Sequence, residues 1–338
     1  MDQKQRIDAF ARLGERLTHI LNHITTDEHE RYRASIALAF HKNGWFTERE
    51  VKFALSYWAE TLNKDTLEAF LEPYVYTNSP KKVGLILAGN IPLVGYQDIL
   101  CTLLSGHHAV IKPSGSDTVL IQLMMELLVE VEPAAQGWFT IHQELMKEYD
   151  AVIATGSNNS ARYFEQYFGK VPNIIRRNRT SIAVLDGTES EEEMQQLMED
   201  ALLYFGLGCR NVTKIYVPED YDLNKIFAAS VPFAYVMDNK KYANNYAYHR
   251  TLLMMQQKEV LENEVLLLTP SEEIFSPVSV LHYERYNDLN ALNNKLQALE
   301  DDIQCRVSKK DVSFGMAQRP RLNEFADGVD TMKFLATL

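Results

Sequence analysis

A doubly wound α/β domain followed by a second α/β unit, both behind a helical N-terminal preface, is the architecture that this 338-residue chain predicts. Three observations carry it. Short apolar runs, each bounded by a turn, alternate with helical spacing four times between residues 82 and 157, as expected of parallel strands covered on both faces. Before residue 80 apolar residues recur at intervals of three and four instead. Beyond residue 187 strand and helix patterns resume around a glycine-flanked cysteine.

In the preface, Phe10, Leu13, Leu17 and Ile20 mark one helix and Tyr32 to Phe40 a second. Thr47-Glu48-Arg49-Glu50 has the capping-box pattern and opens a third, through Tyr57 and Leu62. The rhythm changes at Lys82, where VGLILAG reads as a buried strand, with a loop and then a helix expected over Pro92 to Leu104. HAVIKPS supplies the next strand, Val119 to Val129 a helix, GWFTI a third strand, and AVIATGS a fourth after a short intervening helix. Ligands of such sheets sit beyond the carboxyl ends of the strands. That directs attention to Gly89-Asn90, Lys112-Pro113-Ser114 and Gly156-Ser157.

The second unit is expected from Gly187, with a helix from Glu189 through Phe205, then GLGCRN and the strand TKIYV. EVLLL, PVSVLHY and DIQCRV are further strand candidates, and Lys240 to Val260 and Asp288 to Leu299 further helices. The expected division is 1–186 for preface and cofactor domain, 187–315 for the cysteine domain, and 316–338 for a tail that packs back on the body.

Composition narrows the function. Lys+Arg 34 against Asp+Glu 46 gives a formal charge of -12 spread along the chain, which disfavours a nucleic-acid surface. Three cysteines leave one unpaired in any disulfide scheme, and the start MDQKQRIDAF has no apolar signal segment, so a reducing, cytoplasmic setting is expected. No apolar run approaches membrane-spanning length. HExxH and paired CxxC motifs are missing, and adjacent His107 and His108 would point apart on a strand, so no metal is expected.

Cys209, between Gly208 and Arg210, fits a covalent nucleophile but equally a small buried hydrophobe. Cys101 and Cys305 read as structural. Asn90 fits an oxyanion donor or a strand-ending turn. Lys112 fits a ribose or phosphate contact or a solvated cation, and Gly156-Ser157 an anion site or an ordinary helix cap. Arg176, Arg177 and Arg179 form the densest basic cluster, suited to cofactor or coenzyme A phosphates or to pairing with the acidic run from Glu189 to Glu193. GLGCRN begins like the dinucleotide fingerprint but carries Asn211 in place of the third glycine and precedes a strand.

Taken in order, GNIPLVGYQDIL, LLSGHHAVIKPSGSDT, ATGSNNSA, GLGCRNVTKIYVP and EEIFSPV resemble motifs of the aldehyde dehydrogenase superfamily, within it the acyl-CoA reductases related to the fatty-acid reductase of bacterial bioluminescence. The resemblance runs from roughly residue 80 to the end, with Ser276 where the family usually has glycine. It implies Cys209 as acylated nucleophile and Asn90 as oxyanion amide. It also implies cofactor contacts at Lys112, Ser114, Gly156, Ser157, Glu273 and Phe275, with Glu273 on the nicotinamide ribose. NADPH or NADH is the implied cofactor, an acyl-CoA the substrate and a homodimer the assembly.

Oxidative relatives carry a glutamate upstream of the cysteine that activates water. Alignment on SIAVL puts Arg176 near that position, within IIRRNRTSIAVL, and no carboxylate stands there. Without a general base the acyl-enzyme resists hydrolysis, which favours hydride delivery. An oxidative aldehyde dehydrogenase, a glutamyl-phosphate-type reductase and a noncatalytic assembly subunit retaining the fold are the competing readings.

Overall fold

The apolar stripe of the first helix becomes the floor of the preface. In the computed structural model, which describes residues 2–23, 29–142, 144, 146–156 and 158–338, helix α1 spans Gln3–Asn22 and buries Phe10, Leu13, Leu17 and Ile20. Asp2 and Gln5 close a capping box at its start. Helices α2 (Glu30–Lys42), α3 (Glu48–Thr61) and α4 (Lys64–Leu71) follow. A Cβ on Gly14 would stand 2.2 Å from the Leu62 carbonyl oxygen, so glycine lets the segment after α3 pass directly over α1. The box predicted at Thr47 is not formed: its hydroxyl donates to the Glu50 carboxylate and leaves the backbone N–H groups alone. Helix α4 went unpredicted, although Asn63 caps it by accepting from the Thr66 N–H.

Strands β1 (Lys82–Ile86), β2 (His108–Lys112), β3 (Phe139–Ile141), β4 (Ala151–Thr155) and β5 (Asn173–Arg176) alternate with helices α5 (Tyr96–Leu104), α6 (Thr118–Val131) and α7 (Asn158–Phe168). They form one parallel sheet in the order β3-β2-β1-β4-β5. This is the predicted doubly wound arrangement, and the strand order reverses between β1 and β4. The loop expected ahead of α5 takes residues 92–95, which form turns, with Leu93 at φ 58°. The short helix expected between β3 and β4 does not occur among the described residues.

The second sheet contains β6 (Thr180–Val184), β7 (Val212–Pro218), β8 (Leu261–Glu262), β9 (Leu267–Pro270), β10 (Val280–Tyr286) and β11 (Ile303–Val307). Its order is β11-β6-β7-β10-β9-β8, parallel except for the β8–β9 pair. Helices α8 (Glu191–Leu202), α9 (Asn224–Ser230), α10 (Lys240–Met255) and α11 (Leu289–Gln297) accompany it. Ile182, Val184, Tyr216, Ile274, Leu292 and Leu296 make a core cluster of this unit. The acidic run is the first turn of α8, where Glu191, Glu192 and Glu193 complement the helix dipole and Ser190 and Glu193 cap each other.

The chain divides into residues 1–177 with 321–338, and residues 178–320. The first boundary lies near 177 rather than 187 because β6 pairs with β7 and β11 of the second sheet. The tail, including helix α12 (Thr331–Leu335), rejoins the first unit, where His107 Nε2 lies 2.9 Å from the Leu335 carbonyl oxygen. No helix among the described residues is long and apolar enough to cross a membrane.

Candidate active site

All five strands of the first sheet run the same way, so the residues following β1, β2 and β4 share one edge. Asn90, Lys112, Ser114 and Gly156 therefore come to the carboxyl edge, with Asn90 and Gly156 flanking the reversal of strand order. Asn90 is exposed; Lys112, Ser114 and Gly156 are half-buried. Ser157 lies outside the described residues.

This edge is built by close backbone approach. A Cβ on Gly89 would fall 2.6 Å from the Ser114 side chain, and one on Gly156 2.8 Å from Phe164. Such glycines let neighbouring side chains pack directly on the backbone, and an ammonium, a hydroxyl and an amide along this edge form a donor set that suits the ribose and pyrophosphate of a dinucleotide. The Ser114 hydroxyl accepts from the Ser116 N–H, and the Ser114 carbonyl accepts from the Asp117 N–H.

Asp117 is a residue that motif reading missed. It precedes α6 like an ordinary helix cap, yet makes no side-chain cap bond. Instead its Oδ2 accepts from the Leu93 N–H at 2.7 Å, across to the loop that follows Asn90. Leu93 holds a left-handed backbone conformation, one that costs a non-glycine residue about 1–3 kcal/mol unless surrounding bonds hold it. Asp117 supplies such a bond. It is 2% exposed, and burial pushes its carboxyl far above the ordinary range.

The basic cluster is rearranged relative to expectation. Arg176 is buried: its Nη1 lies 2.5 Å from Asp98 Oδ2, and its Nη2 donates to the Thr331 hydroxyl at 2.9 Å. It ties β5 to α5 and α12, which turns its guanidinium inward and removes it from the set of phosphate contacts. Exposed Arg177 pairs with Glu165, and Arg179 donates to the carbonyls of Glu300 and Ile303. None of these is a pairing with the run from Glu189 to Glu193.

In the second unit Cys209 sits on the turn between α8 and β7. Helix α8 ends three residues before the predicted limit because Tyr204 and Phe205 turn left-handed, at φ 54° and 58°, followed by Gly206 at φ 75°. Asn211 is fully buried and staples this reversal. Its Oδ1 accepts from the Gly208 N–H at 2.8 Å, while its Nδ2 donates to the carbonyls of Leu203, Asp200 and Ala201 at 2.8, 3.0 and 3.3 Å. That is why asparagine rather than glycine occupies this position. Asp200 accepts from the Gly315 and Ala317 N–H groups at 2.7 and 3.0 Å, and burial pushes its carboxyl up to about 7. Arg210 Nε donates to the Ala317 carbonyl, and the Ser181 hydroxyl to the Cys209 carbonyl at 3.0 Å.

Cys209 is partly exposed, unlike the buried structural thiols of Cys101 and Cys305. Burial drives the Cys101 thiol well above its usual range. In the connection from β9 to β10, Glu273 is exposed and Phe275 packs half-buried against the core cluster of the second unit. The unusual Ser276 donates from its hydroxyl to the Val280 carbonyl at 2.6 Å.

Comparison with known proteins agrees with this architecture. A family model described as Acyl-CoA reductase (LuxC) matches residues 65–231. The long-chain acyl-protein thioester reductase of Aliivibrio fischeri is 24% identical over 153 residues, 40% of this chain and 32% of that protein. Its counterpart in Photorhabdus laumondii is 21% identical over 189 residues, 50% and 39% respectively. The match spans less than two fifths of either relative's length. Among solved structures, the aldehyde dehydrogenase KauB from Pseudomonas aeruginosa aligns with a TM-score of 0.65 at 13% identity, over 91% of this chain and 72% of that one. Aldehyde dehydrogenase C from Pseudomonas syringae, solved with NAD+ and octanal, aligns with a TM-score of 0.62 at 13% identity, over 91% and 72%. At these identities the likeness is one of fold.

Proposed function

From this kinship with the LuxC acyl-CoA reductases, on an aldehyde dehydrogenase fold, we propose that the chain reduces a fatty acyl thioester to the aldehyde through a thioacyl intermediate on Cys209. The observation that carries the reading is the turn at Cys209: a partly exposed cysteine whose carbonyl accepts from the Ser181 hydroxyl and whose neighbour Gly208 is held by the buried Asn211 side chain. A second observation favours reduction over oxidation. Near the position where the resemblance places the water-activating glutamate of oxidative relatives, this chain has Arg176, committed to Asp98.

In the proposed reaction the Cys209 thiolate attacks the thioester carbonyl carbon. Asn90 donates its amide to the oxygen that gains charge, as the resemblance implies. The bond from carbonyl carbon to coenzyme A sulfur breaks, coenzyme A leaves as a thiolate, and the acyl group remains on Cys209. A reduced nicotinamide, when bound, supplies the hydride for the second half-reaction; Lys112, Ser114, Gly156, Ser157, Glu273 and Phe275 are the residues proposed to hold it. Cleavage of the carbon to Cys209 sulfur bond then releases aldehyde and restores the thiolate. NADPH is the proposed cofactor, with exposed Arg177 the candidate for its extra phosphate, and a homodimer is the proposed assembly.

The relatives, long-chain acyl-protein thioester reductases, favour a second donor, an acyl group on a protein thiol. Acyl-CoA incubated without cofactor is expected to release a burst of free coenzyme A and add one acyl mass to the protein, both abolished by Cys209→Ser. Parallel incubation with an acylated carrier protein ranks the two donors. Acid formation from aldehyde and NAD+ without coenzyme A would overturn the reductive reading.

A further inference from the structure

The connection that carries Glu273 is gripped in an unusual way. Three successive carbonyls, those of Glu272, Glu273 and Ile274, each accept from a different buried side chain of β7 or β10. Lys214 Nζ donates to the Glu272 carbonyl at 3.0 Å, His282 Nδ1 to the Glu273 carbonyl at 3.0 Å, and Thr213 Oγ1 to the Ile274 carbonyl at 2.6 Å. Because a carbonyl only accepts, His282 carries its proton on Nδ1. Thr213 spends its one hydroxyl proton on Ile274, so the Thr180 hydroxyl, 2.6 Å away, donates to Thr213. Lys214 and His282 stand opposite each other in the ladder, so two of the three donors come from one rung. The Glu273 N–H is held as well, donating to the Ser271 hydroxyl at 3.2 Å.

A surface loop ordinarily gives its carbonyls to water. Here the most expensive donor is a fully buried lysine side chain, whose charge is matched by Glu284 at 2.5 Å, itself also paired with Lys295. An apolar residue would fill the same place at lower cost. We propose that Lys214, His282 and Thr213 are positioning residues for Glu273, fixing the backbone of 272–274 so that the exposed carboxylate meets the cofactor ribose in one orientation. The inference rests on the reading above, in which Glu273 holds that ribose.

Full-chain variants Glu273→Gln, Thr213→Val, Thr213→Ser and Lys214→Met test it, by titration of NADPH fluorescence and by the KM for NADPH against the rate of acylation. Glu273→Gln, Thr213→Val and Lys214→Met are each expected to weaken NADPH binding about tenfold, while Thr213→Ser restores near-native affinity. The double variant Glu273→Gln with Thr213→Val is expected to be no weaker than Glu273→Gln alone, since both act through one carboxylate. Thr213→Val and Thr213→Ser carry the test if Lys214→Met fails to fold. A folded Thr213→Val with native affinity, or losses that add in the double variant, overturns the clamp. Unchanged NADPH binding by Glu273→Gln instead overturns the ribose role itself, and the clamp with it.

Discussion

The first sheet offers its candidate residues after strands, at a carboxyl edge that all five parallel strands share; the second presents Cys209 before a strand, on a turn constructed for it. The contrast separates two ways of making a site. A parallel sheet with a reversal in strand order opens a ligand crevice through topology alone, and glycines such as Gly89 and Gly156 need only let backbone come close. A cysteine on a tight reversal gets no such help. Two adjacent left-handed residues, Tyr204 and Phe205, are costly, and the turn persists because the Asn211 side chain and the Ser181 hydroxyl hold it.

The sharpest way to break this comparison is to remove the staple. Asn211→Ala leaves the Gly208 N–H and carbonyls of Asp200, Ala201 and Leu203 without their partner, and is expected to cost about 3–5 kcal/mol of stability in urea denaturation. A loss under about 1 kcal/mol would show that the turn holds itself. On the sheet edge the effect should fall on chemistry instead. Asn90→Ala is expected to slow acylation of Cys209 roughly 10²–10³-fold while stability moves by less than about 0.5 kcal/mol, read by coenzyme A release beside a thermal melt. Equal losses in both measurements would erase the distinction between the regions.

Asp117 sharpens the comparison, being the one place where the edge borrows the tactics of the turn. Asp117→Ala is expected to cost about 1–3 kcal/mol and to slow acylation about tenfold by releasing Leu93; Asp117→Asn keeps an oxygen for that N–H and should recover most of both. Matching behaviour of the two variants would dissociate Asp117 from the loop.

A further expected effect is one of pH. Asp200 titrates near 7 in the folded chain because of burial, but near 3.8 when unfolded. Between these values the folded state binds the extra proton, so stability is full below about pH 4 and declines as pH rises to about 7, by at most ~1.4 kcal/mol per pH unit. Glu50, pushed to about 7 by burial, adds to the decline with the same sign. Asp200→Asn should flatten the slope over this window in chemical denaturation at stepped pH; an unchanged slope would assign it elsewhere.

The strands β1, β2, β4, β7 and β10 were legible as apolar runs because burial on both faces writes directly into composition. Helices α4 and α9 and strand β8 were not, being short elements whose stability comes from what they pack against. Helix α8 read as longer than it is, since Leu203 and Phe205 continue the apolar spacing even where the backbone reverses. Of the site, Cys209, Asn90, Lys112 and Glu273 were nameable from motifs. Asp117, Asn211, Asp200, Lys214 and His282 were not, because each acts on a partner that is set by the fold rather than by a motif, as Asp200 does on Gly315.

By itself the amino-acid order determined the α/β class and the doubly wound sheet and named the candidate site positions, because periodicity and turn residues are local properties of a chain. The tertiary structure alone decided that Arg176 faces Asp98 inside the protein, that β6 joins the second sheet, and that buried side chains hold the loops of Leu93, Cys209 and Glu273. Those outcomes depend on which distant groups meet away from water, where an unpaired charge or N–H is expensive, and no local pattern records such meetings.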